Sequence, residues 1–215
     1  METRISAILA GRVAPFGPEG EPSGYRKARR DGKVQVTPIA LAGDEQADRV
    51  HHGGPDKAIH HYPFDHYARW AADRPALAPA LQAPGAFGEN ISTTGWTEAD
   101  ICIGDQFRMG SAIIEVSQGR QPCWKLGHSF GDSAMVAQVV KTGRCGWYYR
   151  VIAPGAVEPG DSLQLLDRPH PDWSVARVFR VLIRRKTAPG EITDLARVAQ
   201  LSESWQRRCR AALSS

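Results

Sequence analysis

Glycine and proline interrupt this chain too often for long regular elements to form. There are 21 glycines and 15 prolines among 215 residues, and the runs between them are short and rich in alternating or β-branched residues. Arg4 to about Gly11 reads as a first strand, and Asp31-Gly32 is a hairpin-turn signal. Lys33–Pro38, Trp147–Ile152 and Ser162–Leu166 read as further strands, and Ile101–Gly110 with Ser111–Ser117 reads as a strand–turn–strand meander. Many short strands with turns between them predict a mainly β fold with some helix, built as a closed or nearly closed barrel. Helical spacing covers His60–Asp73, with Pro63 in its first turn and Pro75 ending it. It recurs in Asp132–Lys141, where Asp132 or Ser133 caps and Gly143 stops the helix. Leu77 to Phe87 reads as a loop with a helical turn.

The character changes after Pro169-His170-Pro171. Val175–Lys186, Glu191–Leu201 and Glu203–Leu213 read as three helices separated by Pro189-Gly190 and Ser202. The expected organisation is therefore a β-barrel domain with flanking helices over residues 1–168 and a small three-helix unit over 174–215. Charge marks the same division. The whole chain is +4, but from Ser174 onward nine basic residues face three acidic ones, so that segment carries +6 and the remainder −2. Such a face is either solvated or a docking surface for an acidic partner. A nucleic-acid partner is not expected, because the basic segment lacks interleaved aromatics apart from Phe179 and Trp205.

No apolar run is long enough to span a bilayer, and the first ten residues have too short an apolar core for a signal peptide. Cys102, Cys123, Cys145 and Cys209 are scattered with no CxxC pair, which argues against a disulfide framework and fits a reducing cytoplasm. The chain also lacks a GxGxxG at a strand-to-helix turn and a cysteine cluster, so neither a flavin nor an iron–sulfur centre is expected in it.

Cys123 lies just past the strand-like Ala112–Val116 run, with Arg120 before it and Lys125 after it. A positive field of that kind favours the thiolate, which attacks electrophiles or binds metals. The same residue could equally be a buried structural thiol. Three other segments carry more polar groups than a barrel core needs: Gly43–Asp48, His51–Ala58 and Phe87–Ile91. In the second, Gly53-Gly54 can present backbone N–H groups to an anion, with Lys57 adding a charge and His52 a donor; a tight turn accounts for the same glycines. His51, His52, His60 and His61 lack a recognised zinc spacing, and His66 and His128 read as packing or surface residues.

Taken in order, His52-Gly53-Gly54-Pro55-Asp56-Lys57-Ala58, Phe87-Gly88-Glu89-Asn90, Ile103-Gly104-Asp105, Arg120-Gln121-Pro122-Cys123-Trp124-Lys125-Leu126 and Gly146-Trp147-Tyr148-Tyr149-Arg150-Val151 resemble the MOSC domain family. MOSC is the domain also found at the C-terminus of molybdenum cofactor sulfurases. Within it the chain is most similar to the YiiM type, a MOSC barrel followed by three helices. The resemblance implies that Cys123 binds the molybdenum of a pterin cofactor (molybdopterin). It implies that Gly53, Gly54, Lys57 and Arg120 face the cofactor's phosphate, that Glu89 and Asn90 meet the pterin edge, and that Lys125 belongs to the same set. It further implies reduction of N-hydroxylated bases and related compounds to amines, with His52 or Asp56 delivering protons and a separate reductase supplying electrons. A cofactor or sulfur carrier without turnover is the alternative. His51 doubles the motif histidine, Trp124 either narrows the pocket or walls it, and Cys102, Cys145 and Cys209 match no ligand position.

Overall fold

The structure, a computed structural model, describes residues 1–48 and 53–214. Its strands are Glu2–Arg4 (β1), Ala7–Ala10 (β2), Ala14–Pro15 (β3), Pro22–Ser23 (β4), Ala28–Arg29 (β5), Val34–Val36 (β6), Ile59–His61 (β7), Ile91–Ser92 (β8), Gln106–Met109 (β9), Ala112–Gly119 (β10), Trp147–Ala153 (β11), Gly155–Val157 (β12) and Ser162–Asp167 (β13). The helices are Asp65–Asp73 (α1), Trp124–Phe130 (α2), Met135–Thr142 (α3), Val175–Leu182 (α4), Glu191–Ala196 (α5) and Glu203–Leu213 (α6), with 3-10 turns at Pro55–Lys57 and Pro75–Leu81.

Nine strands form one sheet in the order β1-β13-β9-β10-β11-β7-β8-β2-β5, antiparallel throughout except for β7 and β8. The two ends of that order come together in a single bent stretch. Glu2–Arg4 pairs with β13, and after Ile5 and Ser6 the chain pairs with β8 and then β5. The link is itself bonded on both sides: the Ile5 N–H donates to the Asp161 carbonyl (3.0 Å) and the Ser6 N–H to that of Ser92 (2.9 Å). The sheet is thereby curled into a barrel-like form around Ile8, Ile59, Phe107, Ile114, Val116 and Tyr149, all buried.

Several expected elements differ, and the helices read over Val175–Lys186 and Glu191–Leu201 end already at Leu182 and Ala196. The helix read over His60–Asp73 begins only at Asp65, and residues 59–61 form a strand instead. His60 and His61 stand opposite Tyr148 and Trp147. The His61 ring is bonded to the hydroxyls of Tyr149 (3.0 Å) and Thr93 (2.9 Å), and burial pushes its pKa down to about 3. Tertiary pairing thus overrides a helical spacing that the following residues do obey. The three buried cysteines, Cys102, Cys145 and Cys209, behave as packing residues, as expected.

Helices α4 to α6 share one apolar cluster with the sheet, through Val175, Phe179, Leu195 and Trp205. Ser174 and Ser202 cap α4 and α6 by accepting the N–H groups of Arg177 (3.2 Å) and Trp205 (3.3 Å). The Ser202 N–H donates in turn to the Ser117 carbonyl on β10 (2.9 Å). At the end of β10, Gly119 lets α6 approach. A methyl group there would lie 3.1 Å from the Trp205 ring and 3.2 Å from Val175. Gly119→Ala is expected to lower stability by about 1–3 kcal/mol through overpacking, read as a lower urea midpoint at unchanged slope.

Glu191 ties α4 to α5, accepting from the Ala188 N–H (2.8 Å), Arg180 (2.7 Å) and Arg177 (2.9 Å). These donors, the Ala188 N–H foremost, hold its carboxyl down to about 2. The stabilisation is complete above the ordinary value of 4.5 and disappears as pH falls toward 2. Amide exchange in α5 should therefore accelerate relative to the sheet between those values. A Glu191→Gln variant should show exchange already fast at pH 6, with little further response to acid.

Candidate active site

Strand β10 delivers Arg120 to the rim of the curled sheet, and the Arg120 N–H is fixed by the Gly146 carbonyl at 3.0 Å. Three residues later the chain turns into α2, a helix the sequence reading did not anticipate. Cys123 is its N-cap, in extended geometry (φ −130°, ψ 175°), and the Cys123 carbonyl accepts the Leu126 N–H at 3.0 Å. This half-buried thiol lines two cavities at once, and Gln121 and Tyr148 share that position with it.

The first cavity is small, about 50 Å³. Across the sheet Gln118 stands opposite Tyr148 and Tyr148 opposite His60, so one row of side chains crosses three strands on the same face. Tyr148 and His60 from that row line the cavity together with Tyr25, Lys27, Asn90, Arg120 and Lys125, and among the described residues no carboxylate lines it. Arg120 is 5% exposed. Its guanidinium lies in electrostatic reach of Tyr25, Tyr148 and Cys123, and among the described residues no acid pairs with it. Burial holds the Tyr25 and Tyr148 phenols above their usual range against the opposing pull of Arg120, so both are neutral at ordinary pH. Burial, with Arg120 adding to it, keeps His60 well below 6.5, and its Nε2 has no hydrogen-bond partner in the structure. A buried guanidinium beside neutral phenols and a thiol, with no acidic partner among the described residues, is a site for an anion.

Lys27 is balanced from behind the cavity. Its side chain is 2% exposed and its ammonium is bonded to Asp44. Asp44 also accepts the Gly11 N–H (2.9 Å) and the Asn90 side-chain amide (2.9 Å). Burial lowers the Lys27 pKa, and Asp44 opposes that.

The residues expected from the motifs separate into groups. Cys123, Arg120, Asn90 and Lys125 come together on the first cavity. Asn90 lines it while its Oδ1 accepts the His60 N–H (3.0 Å) and its amide serves Asp44. Glu89 stands apart: it is fully buried, bonded to the Tyr67 hydroxyl and to the N–H groups of Gly85 (2.6 Å) and Phe87 (3.1 Å), and it shapes the 85–89 loop. Lys57 lines the second cavity, on the other side of the thiol. Gly54, at φ 94°, starts the 3-10 turn that carries Lys57, next to Gly53. Asp56 lines neither cavity. Its carboxylate holds Arg150 (2.9 and 2.8 Å) and accepts the Glu203 N–H (3.1 Å), joining that turn to β11 and α6. His51 and His52 lie outside the described residues. Lys27, His60 and Tyr148 were not singled out from sequence. Only Tyr148 carried a usable signal, since alternation along Trp147–Arg150 turns it to the face opposite the buried Trp147 and Tyr149.

A model of the MOSC domain matches residues 48–164, and a model described as the YiiM-like 3-alpha helix domain matches residues 173–215. The chain belongs to the MOSC family. Among MOSC relatives, Protein YiiM of Escherichia coli (strain K12) is 42% identical over 200 residues, covering 93% of this chain and 88% of that protein. A crystal structure of YiiM from Escherichia coli aligns with a TM-score of 0.81 at 35% identity, over 98% of this chain and 93% of that one. A protein named Reductase from Gibberella moniliformis (strain M3125 / FGSC 7600) is 39% identical over 183 residues, which is 84% of this chain but 32% of that protein. No helix among the described residues of this MOSC protein is long and apolar enough to cross a membrane.

Proposed function

We propose that this MOSC protein is a molybdenum-cofactor-dependent reductase that converts N-hydroxylated compounds, such as N-hydroxylated bases, to amines with electrons from a separate reductase. The observation that carries the reading is Cys123, which lines a cavity where the described residues place no carboxylate, beside a buried guanidinium with no acidic partner among them. Membership of the MOSC family and the relative named Reductase support it.

The residues present fit such a cofactor. Cys123 offers one soft thiolate, suited to a metal that brings most of its own ligands. Arg120 and Lys125 offer countercharge for a phosphate. Asn90 keeps the cavity wall in place, and the orphan His60 Nε2, neutral in this setting, is an acceptor for a ring N–H. When bound, the cofactor would supply the two-electron redox chemistry that cleavage of an N–O bond requires. The overall change, R–NHOH with two electrons and two protons to R–NH2 and water, needs proton delivery. Of the two donors read from the motif we keep His52, because Asp56 is engaged by Arg150.

The test is anaerobic turnover of cofactor-loaded protein, with reduced methyl viologen as electron source and an N-hydroxylated base as substrate. One amine is expected per two viologens oxidised. Bound cofactor with no amine formed identifies a carrier instead.

A further inference from the structure

The second cavity is a cleft of about 390 Å³, within the roughly 300–1,000 Å³ of small-molecule pockets. One wall is the barrel rim, with Lys57, Gln118 and Tyr148. The other is α6, which contributes Arg207 and Arg208, and Cys123 lies between the two walls. Among the described residues no carboxylate lines it. Lys57 carries the mark of this crowding. Burial lowers its pKa first, Asp48 and Asp56 oppose that, and Arg207 and Arg208 lower it further. Three cations thus border one opening, Arg207 paired with Glu203 and Lys57 acted on by Asp48 and Asp56, and an anion bound there is attracted by all three.

The arginines have donors to offer. Arg207 gives one hydrogen bond to Glu203 (2.6 Å) and Arg208 gives one to Gln121 (2.7 Å), whereas each guanidinium carries five. Planar forks of this kind suit a phosphate. The first cavity already has its own cations, Arg120 and Lys125, on the opposite side of the thiol. A molecule lying in the cleft with its anionic end on α6 reaches Cys123 with its other end.

We infer that this cleft holds a phosphate belonging to the substrate, so that the substrate class is an N-hydroxylated nucleotide, its base turned toward Cys123 and its phosphate on Lys57, Arg207 and Arg208. The substrate assignment rests on the reductase reading, but the phosphate site does not.

The experiment compares adenosine monophosphate with adenosine by calorimetry on the full, cofactor-loaded chain, and repeats it on an Arg207→Ala/Arg208→Ala double variant. Both positions are exposed on α6, and alanine keeps the helix. The monophosphate is expected to bind at least about tenfold tighter than the nucleoside, with the advantage shrinking as salt is raised to about 0.5 M. The double variant should lose that advantage while its molybdenum content stays that of the wild type. With reduced methyl viologen as donor, kcat/KM for N6-hydroxyadenosine monophosphate should exceed that for N6-hydroxyadenosine by a similar factor. Equal affinity for nucleotide and nucleoside overturns the proposal. So does loss of molybdenum in the double variant, because it gives these arginines to the cofactor's phosphate. No turnover of either substrate, with the nucleotide preference intact, strikes the reductase reading and the substrate assignment and leaves the phosphate site standing.

Discussion

On the proposed molybdenum reading, a Cys123→Ser variant is expected to fold as the wild type does and to bind no molybdenum, with activity falling by about 100-fold or more. The first half follows from position. Cys123 is the N-cap of α2 and its thiol makes no capping hydrogen bond. Serine is among the best residues at that position, so the substitution leaves helix stability unchanged or slightly raised. The second half follows from chemistry. A serine hydroxyl is a harder donor that stays protonated where a thiol ionises, so it is a poor substitute for a thiolate on a soft metal centre. A hydroxyl would serve the helix better than the sulfur does, which argues that the sulfur is there for something else. Elemental analysis beside a thermal melt decides the matter. Metal retained at wild-type stoichiometry in a normally folded variant removes Cys123 from the ligand role.

The largest loss of stability is expected from Asp44→Ala. That carboxylate is 1% exposed and serves the Lys27 ammonium, the Gly11 N–H and the Asn90 amide together. Removing it leaves a buried cation and two donors without their acceptor, a change in the range of about 3–5 kcal/mol. The Lys27 proton is already less firmly held than usual because of burial, and without Asp44 it becomes easier still to remove. The variant should therefore recover part of its stability as pH rises past neutrality, since the neutral amine no longer opposes folding. Urea unfolding at pH 7 and pH 9 provides the check, together with a Lys27→Met/Asp44→Leu double variant. That double variant should be more stable than Asp44→Ala alone. A single-variant loss below about 1 kcal/mol would show that Lys27 is hydrated and not buried as described.

Much of this architecture is legible in the sequence. The breaks at glycine and proline located the strands that carry Trp147–Ala153 and Ser162–Asp167, and the last helix was read to its residues, Glu203–Leu213. Local signals sufficed there because each run is uniform between two stops. They failed at His60, where the residues have helical spacing but the fold requires a strand between β11 and β8. They failed again after Cys123, where α2 is only seven residues long, too short for periodicity to register. Of the candidate site, the chain-local part from Arg120 to Lys125 is legible in the sequence. His60 reaches the first cavity through strand register, Lys27 from the loop that leads into β5, and Arg207 and Arg208 reach the second through the docking of α6. Nothing in a linear pattern distinguishes a basic helix that faces water from one whose arginines border a cleft. Glu89 shows the converse, since a motif position can be filled by a residue whose task is to hold its own loop.

The bent stretch from Glu2 to Ala10 has a consequence for the order in which this molecule can be made. Its first half finds a partner only in β13, with Thr3 opposite Leu163. The segment therefore leaves the ribosome long before its partner strand exists. Until residues 162–167 have been synthesised, one edge of the growing sheet stays open and the apolar Ile5 and Ile8 have no complete shelter. Closure of so long a loop is slow, and most of its entropic cost precedes the contacts that compensate it. Acquisition of the curl should consequently be a late, rate-limiting event in folding, and the pocket at the rim, which depends on that curl, should be among the last features to form.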